Sequence, residues 1–128
     1  MTRVKVRVPA TSANLGPGFD VLGMALNLYN YIEMEETDGG LEISIEGEGK
    51  GILPADSSSI VYEIARKVFE LAGYSPRGIK IKLTNSIPIA RGLGSSAAAL
   101  VGGAAAANAL SGGRLSLEEL INLASEME

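Results

Sequence analysis

The stretch Ser95–Leu110, SSAAALVGGAAAANAL, constrains the fold more than any other part of the chain. It carries no charge, and eight of its sixteen residues are alanine. Alanine is the best helix former, so a helix is expected here. Sixteen residues of small side chains ending near Asn108 fall short of the ~20 strongly apolar residues a membrane helix needs. The stretch therefore reads as a buried helix whose alanines allow close packing. The bulk of the core must come from elsewhere. With no Trp and only 2 Phe, that means Ile, Leu and Val, in a chain of 128 residues with room for one core.

Periodicity supplies the partners. Val4, Val6 and Val8 alternate with Lys5 and Arg7, as in a half-buried strand that Pro9 stops. Thr11 to Gly18 is a polar Gly/Pro turn segment, and Phe19 to Glu35 is mostly apolar and β-compatible. Asp38-Gly39-Gly40 marks a turn before a strand on Leu41, Ile43 and Ile45, and Glu46–Gly51 is an acidic loop. Ser57-Ser58-Ser59 can cap a helix whose stripe is Ile60, Ile64, Val68 and Leu71, ended by Gly73 with Pro76 beyond. Ile79, Ile81 and Leu83 alternate with Lys80 and Lys82 in a further strand. Arg91–Ala99 is a Gly/Ser loop opening into the alanine helix. Ser116 and Glu119 form a capping box at the start of a last helix, which runs to Glu128 without a stop signal. Strands, helix, strand, helix, helix make an α+β fold, one mixed sheet covered by helices.

Composition limits the chemistry. Lys and Arg total 11 against 15 Asp and Glu, a net charge of −4, which disfavours general nucleic-acid binding. The opening MTRVKVRVPA lacks the apolar run of a secretory signal. The chain has no Cys and no His. Within it, Ser-His-Asp and Cys-His catalysis and Cys zinc sites are excluded. The missing Cys agrees with a reducing cytoplasm. Carboxylates, hydroxyls, amides, Arg, Lys and backbone N–H groups remain, a set suited to phosphate and to hard cations such as Mg²⁺.

The segment Pro88-Ile89-Ala90-Arg91-Gly92-Leu93-Gly94-Ser95-Ser96-Ala97-Ala98 carries that chemistry. Gly92 and Gly94 let backbone approach an anion, and Ser95 and Ser96 stand where free N–H groups and the helix dipole favour phosphate. A Gly-Ser turn that merely caps a buried helix is the plain alternative. No Lys lies in the segment, so it is not a Walker A loop. Gly92-x-Gly94-x-x-Ala97 fits the dinucleotide pattern, but a Pro-containing connection stands where that fingerprint needs a direct strand-to-helix turn.

The segment resembles the phosphate loop of the GHMP kinases. About 70 residues earlier, Val8-Pro9-Ala10-Thr11-Ser12-Ala13-Asn14-Leu15-Gly16-Pro17-Gly18-Phe19-Asp20-Val21-Leu22-Gly23 is similar to the homoserine-kinase branch of that family. Thr11–Asn14 lacks the Lys of mevalonate-type members. The resemblance implies an N-terminal, ribosomal-protein-S5-domain-2-like domain over residues 1–128, cut short at its C-terminus and without the ferredoxin-like C-terminal domain that pairs with it. It implies transfer of the γ-phosphoryl of ATP to the hydroxyl of L-homoserine, in threonine biosynthesis in the cytoplasm, with Mg²⁺, and with neither a nucleic-acid nor a membrane partner. A homodimer stays open.

By the same resemblance Asn14 and Asp20 face homoserine, where an amide suits the hydroxyl or carboxylate end and a carboxylate suits the ammonium. Residues 88–98 hold the ATP phosphates, with Ser96 the better Mg²⁺ ligand and Ser95 its alternative. Asp56–Tyr62 resembles the family's adenine-side segment, with Ser59 where Asn is common. A family Mg²⁺ carboxylate lies near the end of the last helix, where Glu126 and Glu128 stand; another spacing puts Asn122 there. No residue is assigned as a base. The isolated chain is expected to be inactive. A non-catalytic nucleotide- or phosphate-binding module and another GHMP small-molecule kinase are the competing readings.

Overall fold

The computed structural model describes residues 3–9, 29–86 and 95–127. Four strands form one sheet: β1 (Arg3–Pro9), β2 (Tyr29–Thr37), β3 (Gly40–Gly47) and β4 (Gly78–Asn85). Their spatial order is β1-β2-β4-β3, with β2 antiparallel to both neighbours and β3 parallel to β4. A parallel pair needs a crossover, and helix α1 (Ile60–Ala72) supplies it between β3 and β4. The expected mixed sheet is present. The β-compatible run begun at Phe19 is strand from Tyr29, and residues 19–28 lie outside the described set.

Alternation places one side chain of each pair in the core. Val8, Ile32, Met34, Ile43, Ile45, Ile79, Ile81 and Leu83 are buried on the helix-covered face, and Val4 and Val6 pack against them. Arg3, Lys5, Arg7, Lys80 and Lys82 are exposed on the other face. Arg3 pairs there with Glu33 at 2.9 Å, an exposed pair of small energetic consequence.

Helices α2 (Ser95–Leu110) and α3 (Leu117–Met127) complete the cover. The alanine helix spans Ser95–Leu110, the stretch expected to be helical, so the last part of the expected loop 91–99 is already its first turn. It is buried on several sides, and two adjacent glycines explain how. A Cβ on Gly102 would stand 2.5 Å from Ile32 Cδ1 and 2.7 Å from Val8 Cγ2, and one on Gly103 would stand 2.9 Å from Ile64 Cγ2. Gly102 thus lets the helix down onto β1 and β2, while Gly103 lets α1 approach it. Asn108, near the end of the stretch, clasps the following turn: its Nδ2 donates to Leu115 O at 3.1 Å and its Oδ1 accepts from Leu115 N–H at 3.0 Å.

Helix ends follow their chemistry. Ser116 N–H donates to Glu119 Oε1 at 2.9 Å, and Glu119 N–H donates to Ser116 Oγ at 3.1 Å, the expected capping box. Gly73 closes α1 in the left-handed conformation, and Arg114 Nη1 donates to Ala72 O at 2.6 Å, a cation on that helix C-terminus. The α1 stripe differs from expectation. Ile64 and Val68 face the core, but Ile60 is 39% and Leu71 60% exposed. Val61, Ala65, Phe69 and Ala72 point inward instead. Of these inward residues, Val61 lies with Ile64 against Gly103 of the covering helix α2.

The close approach at Gly102 generates a stability prediction. Gly102→Val is expected to destabilise by about 1–3 kcal/mol through overpacking. Ala109→Val, on an exposed turn of the same helix, is expected to lose no more than about 0.7 kcal/mol of helix propensity. Urea unfolding of the two variants measures the difference; equal losses contradict the packing assignment.

Candidate functional site

Three strand junctions share one end of the sheet. Pro9 and Tyr29 are ladder partners, so the connection 10–28 leaves β1 and returns to β2 at a single rung. Asn30 pairs with Asn85 on the next ladder, and Gly47 pairs with Asn85 on the last. Connection 87–94 therefore departs from the same end. The helices point there as well. Gly103 meets Val61 and Ile64 near the start of α1, whereas Arg114, just past α2, meets Ala72 at the end of α1. The two helices run in the same direction, and α1 starts from the end where β3 finishes. The N-termini of both helices lie at the end from which both connections emerge, a placement that concentrates free N–H groups and positive dipole ends. The six-residue link 111–116 turns the chain into α3, whose Leu120, Leu123, Ala124 and Met127 pack back on the core.

Polar contacts fasten this end. Glu48 N–H donates to Asn85 O at 2.9 Å, and Asn85 Nδ2 donates to Glu48 O at 3.0 Å. Gly47 makes this turn with φ 82°, and a Cβ there would run into the Asn85 backbone. Ser86 N–H donates to Asn30 Oδ1 at 2.9 Å. The Arg7 guanidinium lies over the Tyr29 ring, 4.6 Å from its centroid.

Ahead of α1, Ser58 Oγ and N–H both donate to Asp56 Oδ1, at 2.5 and 2.9 Å. The hydroxyl and then the N–H hold the Asp56 carboxyl below the usual carboxylate range. Ser59 occupies the N-cap position without a side-chain cap bond, so the serine run does not cap as expected. The run's ordering bonds instead come from Ser58 to Asp56.

Among the expected site residues, Asn14, Asp20, Pro88, Ile89, Ala90, Arg91, Gly92, Leu93, Gly94 and Glu128 lie outside the described residues. Ser95, Ser96 and Ala97 form the first turn of α2, and Ala98 is buried within it. Asn122 and Glu126 are exposed on α3. Among the described residues no group of three acidic side chains gathers to hold a metal ion. Among the described residues, the opening N–H groups of two helices are offered to an anion at this end. A groove of about 470 Å³ lies at the other end, between the starts of β3 and β4 and the last turns of α1. Tyr74 lines it, its phenol pushed up to about 12 by burial and then by its hydrogen bond to Glu36. The described strand ends at which the motif connections attach, Pro9, Tyr29 and Asn85, lie at the opposite end of the sheet from that groove. Sequence reasoning missed Asn30, whose signal is a polar residue on the core-facing row Asn30, Ile32, Met34.

The profile of the GHMP kinases N-terminal domain matches residues 59–128. The chain belongs to the GHMP kinase family. The homoserine kinase of Caldanaerobacter subterraneus subsp. tengcongensis is 54% identical over 125 residues, covering 98% of this chain and 40% of that protein. The homoserine kinase of Moorella thermoacetica is 55% identical over 123 residues, 96% of this chain and 41% of that protein. This GHMP kinase chain thus spans about two fifths of the length of those curated relatives. The crystal structure of the Cytophaga hutchinsonii homoserine kinase superposes with a TM-score of 0.80 at 34% identity, over 98% of this chain and 41% of that one. A mevalonate kinase from Methanococcus jannaschii shares the fold, with a TM-score of 0.73 at 21% identity, over 99% of this chain and 46% of that one. Among the described residues no helix is long and apolar enough to cross a membrane.

The Asp56 bonds make a pH prediction. A carboxylate whose folded pKa is depressed adds stability above its unfolded pKa of about 3.9, and loses it as pH falls through the folded value. Ser58→Ala removes the larger cause, so the Asp56 carboxyl is expected to titrate higher, nearer the ordinary range, by NMR. An unmoved or lower titration contradicts the assignment.

Proposed function

We propose that the chain is the N-terminal, nucleotide-binding part of an ATP-dependent kinase that converts L-homoserine to O-phospho-L-homoserine. One observation carries the reading: the two connections that bear the family-like motifs open from the same end of one sheet, where two helix N-termini also arrive. An acceptor bound by the first connection and a phosphate bound by the second would then meet. The names of the relatives supply the acceptor, homoserine.

In this reading Asn14 and Asp20 bind homoserine, Asp20 taking its ammonium. Residues 88–98 bind the phosphates through backbone N–H groups at the α2 N-terminus, with Ser96 or Ser95 as the hydroxyl ligand of Mg²⁺. Glu128 or Glu126 would complete that ligand set from the end of α3. A hydroxyl and a carboxylate are hard oxygen donors that fit Mg²⁺, which when bound neutralises charge on the phosphates. Phosphoryl transfer asks for positioning and charge stabilisation more than for covalent help. No side chain of this chain is needed as a strong base. The hydroxyl proton passes to the transferred phosphate late in the step. ATP binding, Mg²⁺ and a place in threonine biosynthesis are parts of this proposal.

Two substitutions in the full-length protein separate the two binding roles. Asp20→Asn is expected to weaken homoserine use by roughly 10- to 150-fold, the size of a charge-assisted hydrogen bond, with ATP affinity unchanged. Gly94→Val is expected to weaken ATP and spare homoserine affinity, and to do so more than Ser95→Ala, because a valine Cβ fills the approach path. Steady-state kinetics and calorimetry read both. Unchanged homoserine kinetics in Asp20→Asn, or unchanged ATP affinity in Gly94→Val, overturns the corresponding role.

A further inference from the structure

Asn30 is 4% exposed and lies on the core-facing row of β2, followed on that row by Ile32 and Met34. A buried amide costs free energy unless its polar atoms are bonded, so the position favours an apolar side chain unless the amide has work to do. Its Oδ1 accepts the Ser86 N–H at 2.9 Å. Ser86 is the first residue past the β2–β4 ladder, whose last rung is Asn30 with Asn85. The same N–H reaches the Tyr29 carbonyl at 3.3 Å, the longer of the two contacts.

The two bonded residues stand at the roots of the two motif connections. Connection 10–28 enters β2 at Tyr29, one residue before Asn30. Connection 87–94 begins immediately after Ser86. The Asn30–Ser86 bond is therefore a part-buried side-chain tie between the return of one connection and the departure of the other. We propose that Asn30 is a positioning residue that fixes the register of these two connections against each other, and through it the distance between acceptor hydroxyl and donor phosphate. The inference rests on the proposed kinase reading for its catalytic consequence, but its structural part does not. Misplacement of reacting groups by about 1 Å costs on the order of 10²-fold in rate. A lost tie is thus expected to act on turnover and not on either binding constant.

The test uses the full-length protein with Asn30→Leu, which keeps the volume and removes the acceptor. Asn30→Asp keeps an oxygen for the Ser86 N–H. Ile43→Val trims a buried position on β3, a strand that neither connection enters. Wild-type protein is first assayed with ATP, Mg²⁺ and L-homoserine; a lack of phosphorylation overturns the kinase reading and leaves amide exchange as the judge of Asn30. Asn30→Leu is expected to lower kcat by roughly 10- to 100-fold, with ATP and homoserine affinities within about threefold of wild type. It is also expected to accelerate hydrogen exchange at Ser86 and in both connections. Asn30→Asp is expected to recover most of kcat and of the protection. Ile43→Val is expected to lower stability with kcat and Ser86 exchange unchanged. If Asn30→Leu behaves as Ile43→Val does, with kcat and exchange in the connections unchanged, or if Asn30→Asp rescues neither, Asn30 is a core residue only and the proposal falls.

Discussion

The contact of the alanine helix with its neighbours at Gly102 and Gly103 is the constraint from which the rest of the structure follows. Without side chains at these two positions, α2 sits directly on Val8 and Ile32 on one side and on Val61 and Ile64 on another. Interiors are close-packed, so this approach fixes the height of the helix above the sheet and the separation of α1 from α2 to within a methyl group. A bulkier helix would bury more area per residue, but it would also lift away from the sheet. The alanines give up side-chain burial for backbone proximity, and Ile, Val, Leu, Met and Phe from the sheet and α1 supply the apolar bulk.

That proximity has a functional consequence. Seven residues, about 10 Å of helix axis, separate Gly102 from Ser95, and Val8 stands one residue from the end of the β1–β2 ladder. Seating Gly102 on Val8 therefore brings the opening turn of α2 to the end of the sheet where connections 10–28 and 87–94 emerge. Helix α1 is anchored to the same turn through Gly103, so its N-terminus arrives there too. The fold thus delivers backbone N–H groups to one place, and a chain without His or Cys suits binding and positioning there more than proton transfer.

Much of this was legible in the sequence where local physics decides. The alternations at Val4, Val6 and Val8 and at Ile79, Ile81 and Leu83 are the strands found, and Ser116 with Glu119 is the capping box found. The α1 face was misread because Ile60, Ile64, Val68 and Leu71 and the row Val61, Ile64, Ala65, Val68, Phe69 and Ala72 both satisfy helical spacing. Only the position of α2 chooses between them. The parallel pairing of β3 with β4 and the order β1-β2-β4-β3 arise from long-range contacts that no window of sequence contains. Of the site, the motifs at 8–23 and 88–98 were legible as chemistry. That their connections attach at one end of the sheet was not, nor was Asn30, because an Asn between Tyr29 and Tyr31 reads as a strand-end polar residue until its face is known.

The central claim is that the end of the sheet shared by the two connections is the reactive end, and that the groove beside Tyr74 is not. Hydrogen exchange of the full-length protein, with and without a non-hydrolysable ATP analogue, Mg²⁺ and L-homoserine, tests it most directly. The account predicts new protection in the opening turn of α2, at Ser86 and in both connections, with exchange from Tyr74 to Ile79 unchanged. Protection confined to Gly40–Leu41 and Tyr74–Ile79, with the α2 opening and the connections unaffected, would contradict it.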